Sequence, residues 1–136
     1  MAKENFKKVA DFVTWSELKI NIHFFRDISK TYFREREVWW ASLGINIGQE
    51  EDGKNERFER QVIILKKINR NLAIIAPLTG QIRDLPGRYL VSLKNGRSDI
   101  LIYQIRLISS KRLIRKIARI ASLNFSEIKT IVKASL

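Results

Sequence analysis

The sequence contains no cysteine and a single histidine among its 136 residues. The missing thiols exclude disulfides, thiolate nucleophiles and cysteine-type zinc sites, although they do not fix a compartment. The single imidazole, His23, excludes acid–base chemistry run by a histidine pair; it falls on a predicted helix and reads as a surface or partly buried polar group. No apolar run is long enough to span a bilayer. The N-terminus mixes Lys3, Lys7 and Lys8 with Glu4 and Asp11 where a secretory leader would be apolar. We found no internal repeat, no low-complexity segment and no cluster of metal ligands, so neither metal nor cofactor is expected. The expectation is a cytoplasmic protein without membrane contact. Its length and 45% hydrophobic content suffice for one ordinary core.

Acidic residues are also scarce. Fourteen acids stand against 26 lysines and arginines, a formal net charge of +12, with a pI near 10.3. Such an imbalance points to an anionic partner: nucleic acid, an acidic protein or a membrane surface. Between Ile100 and Ser126 no acid occurs, while Arg106, Lys111, Arg112, Arg115, Lys116 and Arg119 stand among apolar residues. A lone charge run is commonly a solvated face, but a whole-chain imbalance together with an acid-free stretch favours a polyanion.

Thr14 and Glu17 fit a capping box, and Trp15, Leu18, Ile22, Phe25 and Tyr32 recur at helical spacing. This predicts a helix over 14–33 whose aromatic stripe packs on the rest of the protein or on a second subunit. Beyond residue 36 the period becomes that of strands, predicted at 37–43, 60–66, 72–77, 87–93 and 98–108. Asn69-Arg70-Asn71, Leu85-Pro86-Gly87 and Lys94-Asn95-Gly96 punctuate them, the last as a hairpin turn. A short helical turn near 110–113, a strand over 114–120 and a C-terminal helix from about Asn124 complete the prediction, with Glu127 three residues beyond Asn124 as its cap partner. Closely spaced strands with short turns make a small barrel, so the fold class is mainly β with flanking helices.

Several segments carry a resemblance. Glu37-Val38-Trp39-Trp40-Ala41-Ser42-Leu43 leads into Gly48-Gln49-Glu50-Glu51-Asp52-Gly53-Lys54; Arg60 opens the next strand; Pro77-Leu78-Thr79 and Gln104-Ile105-Arg106-Leu107-Ile108 follow in order, then Lys111-Arg112-Leu113. In this order they resemble the MazF or PemK toxins of bacterial type II toxin-antitoxin systems, over roughly residues 35 to 136. The resemblance implies a small SH3-like barrel of the MazF, PemK and CcdB type, with residues 1–34 as an added helical segment. It also implies a metal-independent endoribonuclease, an mRNA interferase, which works on single-stranded RNA as a homodimer and is neutralised by a cognate, acidic antitoxin.

Cleavage by attack of a ribose 2′-hydroxyl on the adjacent phosphorus needs a proton acceptor, a proton donor for the leaving oxygen and positive charge on the phosphate. Arg60 stands where the family places a catalytic arginine, and a guanidinium binds phosphate bidentately. Thr79 offers a hydroxyl to a phosphate oxygen or to the attacking group; taken alone it reads as a strand-end residue. Three positions depart from the family: Gln61 replaces a proline, Gly80 a serine, and Tyr103 an acidic residue beside the late glutamine. The Tyr103 phenol, with an unperturbed pKa near ~10, could donate a proton or bond to RNA; in a β-rich run it also reads as a packing aromatic.

The loop over 44–57 is longer than a structural connection needs, and reads as either a functional lid or a disordered segment. Gly48 and Gly53 give it backbone freedom, while Asn46, Gln49 and Lys54 supply donors for bases or phosphates. The catalytic set expected is therefore Arg60, Thr79 and Tyr103. The RNA-binding set is Asn46, Gly48, Gln49, Lys54, Gln104, Arg106, Arg115, Lys116 and Arg119. Two further readings stand beside the enzyme: a non-catalytic nucleic-acid-binding barrel of the same fold, and a basic interaction module for an acidic protein.

Overall fold

Val62, Ile63, Ile64 and Leu65 are all buried, although successive residues of a strand face opposite ways. Their strand therefore lies between two apolar cores. The computed structural model of the chain describes residues 3–47, 50–54 and 58–136. Its elements are α1 (Lys3–Phe25), β1 (Glu37–Ser42), β2 (Glu59–Lys67), β3 (Leu72–Thr79), β4 (Arg88–Leu93), β5 (Gly96–Leu101), β6 (Arg106–Ser109), β7 (Leu113–Arg119) and α2 (Ser122–Ser135). Two 3₁₀ turns, Ile102–Gln104 and Ser110–Arg112, flank β6.

The strands form one curled antiparallel sheet in the order β4-β5-β3-β2-β1-β7, with β6 also paired to β3. One edge of β3 serves two partners: Leu72 to Ile75 pair with β6, whereas Leu78 and Thr79 pair with β5. The curl is a half-barrel, because β4 and β7 do not pair with each other. On one face Val38, Ile63, Ala76, Val91, Ile100 and Ile120 pack with Phe125 and Ile128 of α2. On the other, Phe33, Trp39, Leu43, Val62, Ile64 and Ile108 form the second core.

Most strand bounds agree with the pattern read from sequence, and the barrel class with its two helices holds. The expected strand over 98–108 is broken by the 3₁₀ turn at Ile102–Gln104, because the chain must cross from one end of the β3 edge to the other. Tyr103 sits in that break and is 61% exposed, so it is not a packing aromatic inside a strand.

The N-terminal helix is also displaced from its expected span. It starts at Lys3, so Thr14 lies mid-helix and donates its hydroxyl to the carbonyl of Ala10 at 3.1 Å instead of capping. It stops at Phe25, where the Asp27 carboxylate accepts from the Ser29 amide at 2.8 Å and from its hydroxyl at 2.7 Å, a local turn that competes with helix. Of the expected stripe, Trp15, Leu18 and Ile22 pack on Ile45 and Phe58, while Phe25 and Tyr32 are exposed. At the other end of the chain, α2 starts at Ser122. Asn124 is therefore not its cap; it donates its amide to the Tyr89 hydroxyl at 3.1 Å and helps tie α2 to β4.

Candidate functional site

The segment between β1 and β2 folds over the end of the sheet. Its root is pinned: the amides of Leu43 and Gly44 both donate to the Phe58 carbonyl at 3.1 Å, and Lys54 and Glu59 exchange backbone bonds of 2.6 and 2.8 Å. Gly53 is not there for freedom, because a Cβ at that position would sit 1.6 Å from the Phe58 carbonyl oxygen. Gly48 and Gln49 lie outside the described residues. Asn46 braces the turn. Its amide donates to Asp52 Oδ1 at 2.6 Å, and its side-chain nitrogen donates to the carbonyls of Glu51 at 2.9 Å and Leu43 at 3.3 Å.

Arg60, the second residue of β2, is buried beneath this segment. All the nitrogens of its guanidinium have partners. Nε donates to the Asp52 carbonyl at 2.5 Å, Nη1 to the Leu78 carbonyl at 2.9 Å, and Nη2 pairs with Glu51 Oε1 at 2.6 Å. Burial pushes this guanidinium below its ordinary pKa, and the carboxylates of Glu51 and Asp52 oppose that shift. The arginine thus grips a carboxylate, an oxyanion of the planar, bidentate kind that guanidinium groups recognise.

Arg60 and Glu51, joined by their ion pair, line two different clefts. The first, of 260 Å³, is lined by Arg60, Thr79 and Lys54 together with Trp40, Glu59 and Arg97. Thr79 is buried, and its hydroxyl accepts from the Gln81 amide at 3.2 Å. The second cleft, of 420 Å³, is lined by Asn46, Glu51, Tyr103, Gln104 and Arg106 with Pro77 at its floor. The Glu51 amide donates to Gln104 Oε1 at 2.6 Å, and Arg106 Nη1 donates to Asn46 Oδ1 at 3.4 Å. Arg60 and Thr79 therefore share one cleft while Tyr103 stands at the rim of the other. The fold brings Asn46, Gln104 and Arg106 together with Tyr103, and Lys54 together with Arg60.

The basic residues of β7 line neither cleft. Arg115 lies 5.1 Å from the Trp40 ring centroid and 3.7 Å from Glu59, and Lys116 pairs with Glu37 at 3.4 Å. Arg119 is exposed near the strand end. The three do not share one side of the strand: Arg115 lies opposite Trp40, whereas Lys116 and Arg119, separated by a register shift, lie opposite Trp39 and Glu37 on the other side. Among the described residues, no three histidine, aspartate or glutamate side chains gather as a metal site requires.

Two residues outside the expected site organise it. Arg112 donates to the carbonyls of Ser42 at 3.1 Å and Leu43 at 3.3 Å, holding the segment's root. Burial, with the charge of Arg106 adding to it, lowers Arg112 to about 10, which leaves it charged at neutral pH. Its membership of the Lys111-Arg112-Leu113 motif was the signal that could have found it. The other is Glu51, which reads from sequence as one acid among several.

Comparisons with known proteins agree with this architecture. The chain is similar in structure to a Mycobacterium tuberculosis toxin, MazF-mt6, at 18% identity and a TM-score of 0.57, over 74% of this chain and 95% of that one. It is likewise similar to a MazE-MazF structure from Deinococcus radiodurans at 14% identity and a TM-score of 0.57, over 76% of this chain and 95% of that chain. At these identities the likeness shows the fold. No curated protein sequence matches the chain. The model of the PemK-like, MazF-like toxins of type II toxin-antitoxin systems, however, matches residues 34–136. That match spans both clefts, the strands that frame them and α2, and the chain belongs to this toxin family.

Proposed function

We propose that the protein is a metal-independent endoribonuclease that cleaves single-stranded RNA, with residues 35–136 as the toxin domain and residues 1–34 as an added segment. The observation that carries this reading is the grip of Arg60 on Glu51: a buried guanidinium lining one cleft holds an oxyanion that lines the other, where a phosphate would bind. In the reaction the RNA phosphate takes the place of that carboxylate, so the segment carrying Glu51 lifts as substrate enters. The ribose 2′-hydroxyl loses its proton to water as its oxygen attacks phosphorus, the P–O5′ bond breaks with the leaving 5′-oxygen taking a proton from Tyr103, and Arg60 neutralises the charge growing on the phosphate oxygens. Thr79 bonds a phosphate oxygen or the attacking hydroxyl from the same cleft. Tyr103 supplies a hydroxyl on the other side of the ion pair, where Asn46, Gln104 and Arg106 receive the bases and backbone of the RNA. Lys54, Arg115, Lys116 and Arg119 extend the positive field, and Gly48 and Gln49 belong to the same covering segment.

The family and the MazE-MazF relative support a cognate antitoxin for this chain, and its charge of +12 suits an acidic one. A homodimer acting in the cytoplasm completes the proposal. One assay tests the chemistry. End-labelled single-stranded RNA incubated with the protein in EDTA is expected to yield 2′,3′-cyclic phosphate and 5′-hydroxyl ends; a requirement for magnesium, or no cleavage at high protein concentration, overturns the reading. A second reading, a non-catalytic RNA-binding barrel, is favoured by the same closed contact, since an Arg60 that never releases Glu51 cannot stabilise a transition state. Binding of RNA without any cut product selects it.

A further inference from the structure

Where the C-terminal half of α1 packs against the 3₁₀ turn Ser110–Arg112, a cleft of 140 Å³ opens that shares no lining residue with the clefts of Arg60 and Glu51. Trp15 and Ile22 form its apolar wall, and Lys19, His23, Lys111 and Arg112 form its polar lining. Three cations thus face one small space, with an imidazole beside them and no acid among the described lining residues.

Arg60 and Arg88 show how this chain keeps a guanidinium out of water: each is paired with a carboxylate, Glu51 at 2.6 Å and Asp99 at 3.0 Å. Arg112 has no such partner among the described residues. Its Nη1 is taken by the carbonyls of Ser42 and Leu43, and its guanidinium carbon lies 5.7 Å from the Trp15 ring centroid. Nε and Nη2 donate to no described residue. Burying a charge without a counter-charge is costly, and Arg26 adds positive charge behind the same turn, where it donates to the Lys111 carbonyl at 2.9 Å.

The remaining donors point to the same kind of ligand. The Lys111 ammonium donates to the His23 carbonyl at 2.6 Å, which fastens the end of α1 to the turn and leaves two protons for a ligand. Ser109 completes the lining; its hydroxyl oxygen accepts from the Lys111 amide at 3.1 Å, so its proton is left to donate. Sites for drug-sized molecules begin at about 300 Å³. At 140 Å³ this cleft suits one small oxyanion, or one such group of a larger molecule. A carboxylate offers two oxygens in one plane to one fork, whereas a tetrahedral group offers oxygens in several directions, as donors from α1, β6 and the turn together require.

We propose that this cleft is a second anion site, which binds a phosphate group through Arg112, Lys111, Lys19 and the hydroxyl of Ser109. The group is inorganic phosphate or a phosphodiester of a bound single strand. In both cases the guanidinium that holds the Ser42 and Leu43 carbonyls also holds the ligand, so the ligand fastens α1 to the root of the β1–β2 segment. The α1 half of the site lies outside the family match, which begins at residue 34.

His23 is the only histidine, so its ring gives one set of NMR signals that reports on the site in the full-length protein. Inorganic phosphate, titrated against chloride at fixed pH and ionic strength, is expected to shift those signals saturably and to raise the melting temperature. Phosphate also stabilises proteins by exclusion from their surface, so only the part of the rise lost in a site variant counts. Lys19→Gln combined with Lys111→Gln is expected to weaken binding by about tenfold or more. Lys19 is exposed and Lys111 half-buried, and the circular dichroism of this variant should match the parent. Single-stranded RNA that is 2′-O-methylated throughout and lacks a terminal phosphate identifies the source. If it moves the His23 signals in the parent and not in the variant, the group is a backbone phosphodiester; if inorganic phosphate moves them and this strand does not, the group is free phosphate. Four results overturn the proposal: signals unmoved by either ligand, an equal response to chloride, equal binding by the double variant, or loss of the response in Arg60→Ala, which would place the anion at Arg60. No step involves cleavage, so the proposal stands or falls apart from the enzymatic reading.

Discussion

The indole of Trp15 lies directly over the backbone of Gly44: a Cβ built on Gly44 would sit 1.9 Å from Trp15 Cε2, and Gly44 itself has a φ of +74°. The docking of α1 thus depends on a missing side chain at the root of the β1–β2 segment. Gly44→Ala is expected to destabilise the protein by about 2–4 kcal/mol, from overpacking together with the left-handed backbone. Urea unfolding checks this. Because the clash is with one ring, Trp15→Ala should cost much less in the Gly44→Ala background than in the parent, and strict additivity in that cycle would show the two residues to be uncoupled.

Arg60→Ala is expected to lower RNA cleavage by about a hundredfold or more, through lost stabilisation of transition-state charge. Its partners predict a second effect, which sequence alone did not suggest. The carbonyls of Asp52 and Leu78 lose their donor, so stability should also fall, by about 1–3 kcal/mol. Arg60→Lys keeps the charge without the fork and should recover only part of the rate. Single-turnover kinetics beside thermal melting separates the two effects; full activity in folded Arg60→Ala would remove it from the site.

Glu51→Gln keeps the shape of the covering segment and removes the charge that competes for Arg60. Affinity for a non-cleavable RNA should rise by about fivefold, the worth of one partly solvated ion pair. Weaker binding in this variant would mean that Glu51 helps to hold RNA.

Affinity for RNA should fall steeply with salt, and neutralising Arg115, Lys116 and Arg119 together should flatten that slope. Every phosphate that the protein no longer neutralises reduces the slope by about 0.7 for single strands. Lys116 and Arg115 already face Glu37 and Glu59, so Arg119→Gln is expected to give the largest single change. Titrations over a range of salt concentrations check this, and a slope equal to the parent's would place the RNA on another face.

The Tyr89 hydroxyl donates to the Glu127 carboxylate and accepts from Asn124, tying β4 to α2. Burial, then the bond to Glu127, raises its pKa above the ordinary value. A proton held more tightly in the folded state favours folding, and this contribution is full below the unfolded pKa of about 10 and lost as pH rises through the higher folded value. Stability of the parent should therefore decline on the alkaline side of about pH 10 more steeply than that of Tyr89→Phe. Parallel alkaline limbs in the two proteins would show that the tether does not titrate.

Period and turn chemistry made the strands legible, because Val, Ile and Trp runs between Gly and Asn turns have few other ways to bury themselves. The Lys94-Asn95-Gly96 hairpin is a clear case, with Gly96 at a φ of +125°. The span of α1 was not legible: Thr14 and Glu17 imitate a helix start, and nothing local shows that the helix has already run for several turns. Nor was the break at Tyr103, which follows from β5 and β6 having to share one edge of β3. At the site, Arg60 was legible from motif order alone. Its clasp by Glu51 was not, since which of several acids in a loop meets a given arginine is decided by the backbone bonds that pin Lys54 to Glu59 and Gly53 to Gly44.

With apolar residues on both sides of β2, sliding that strand by one position exchanges one greasy surface for another, and the usual penalty for misalignment, a polar side chain driven inward, is largely missing along Val62 to Leu65. Alignment must then be written at the strand's polar end. Arg60 fits there only opposite Ala41 and under the Asp52 and Leu78 carbonyls, and Glu59 only opposite Ser42. The arginine proposed to meet RNA is in this sense also an index mark by which the sheet assembles, and substitutions at Arg60 should lower the yield of correctly paired protein during refolding before they reveal anything about catalysis.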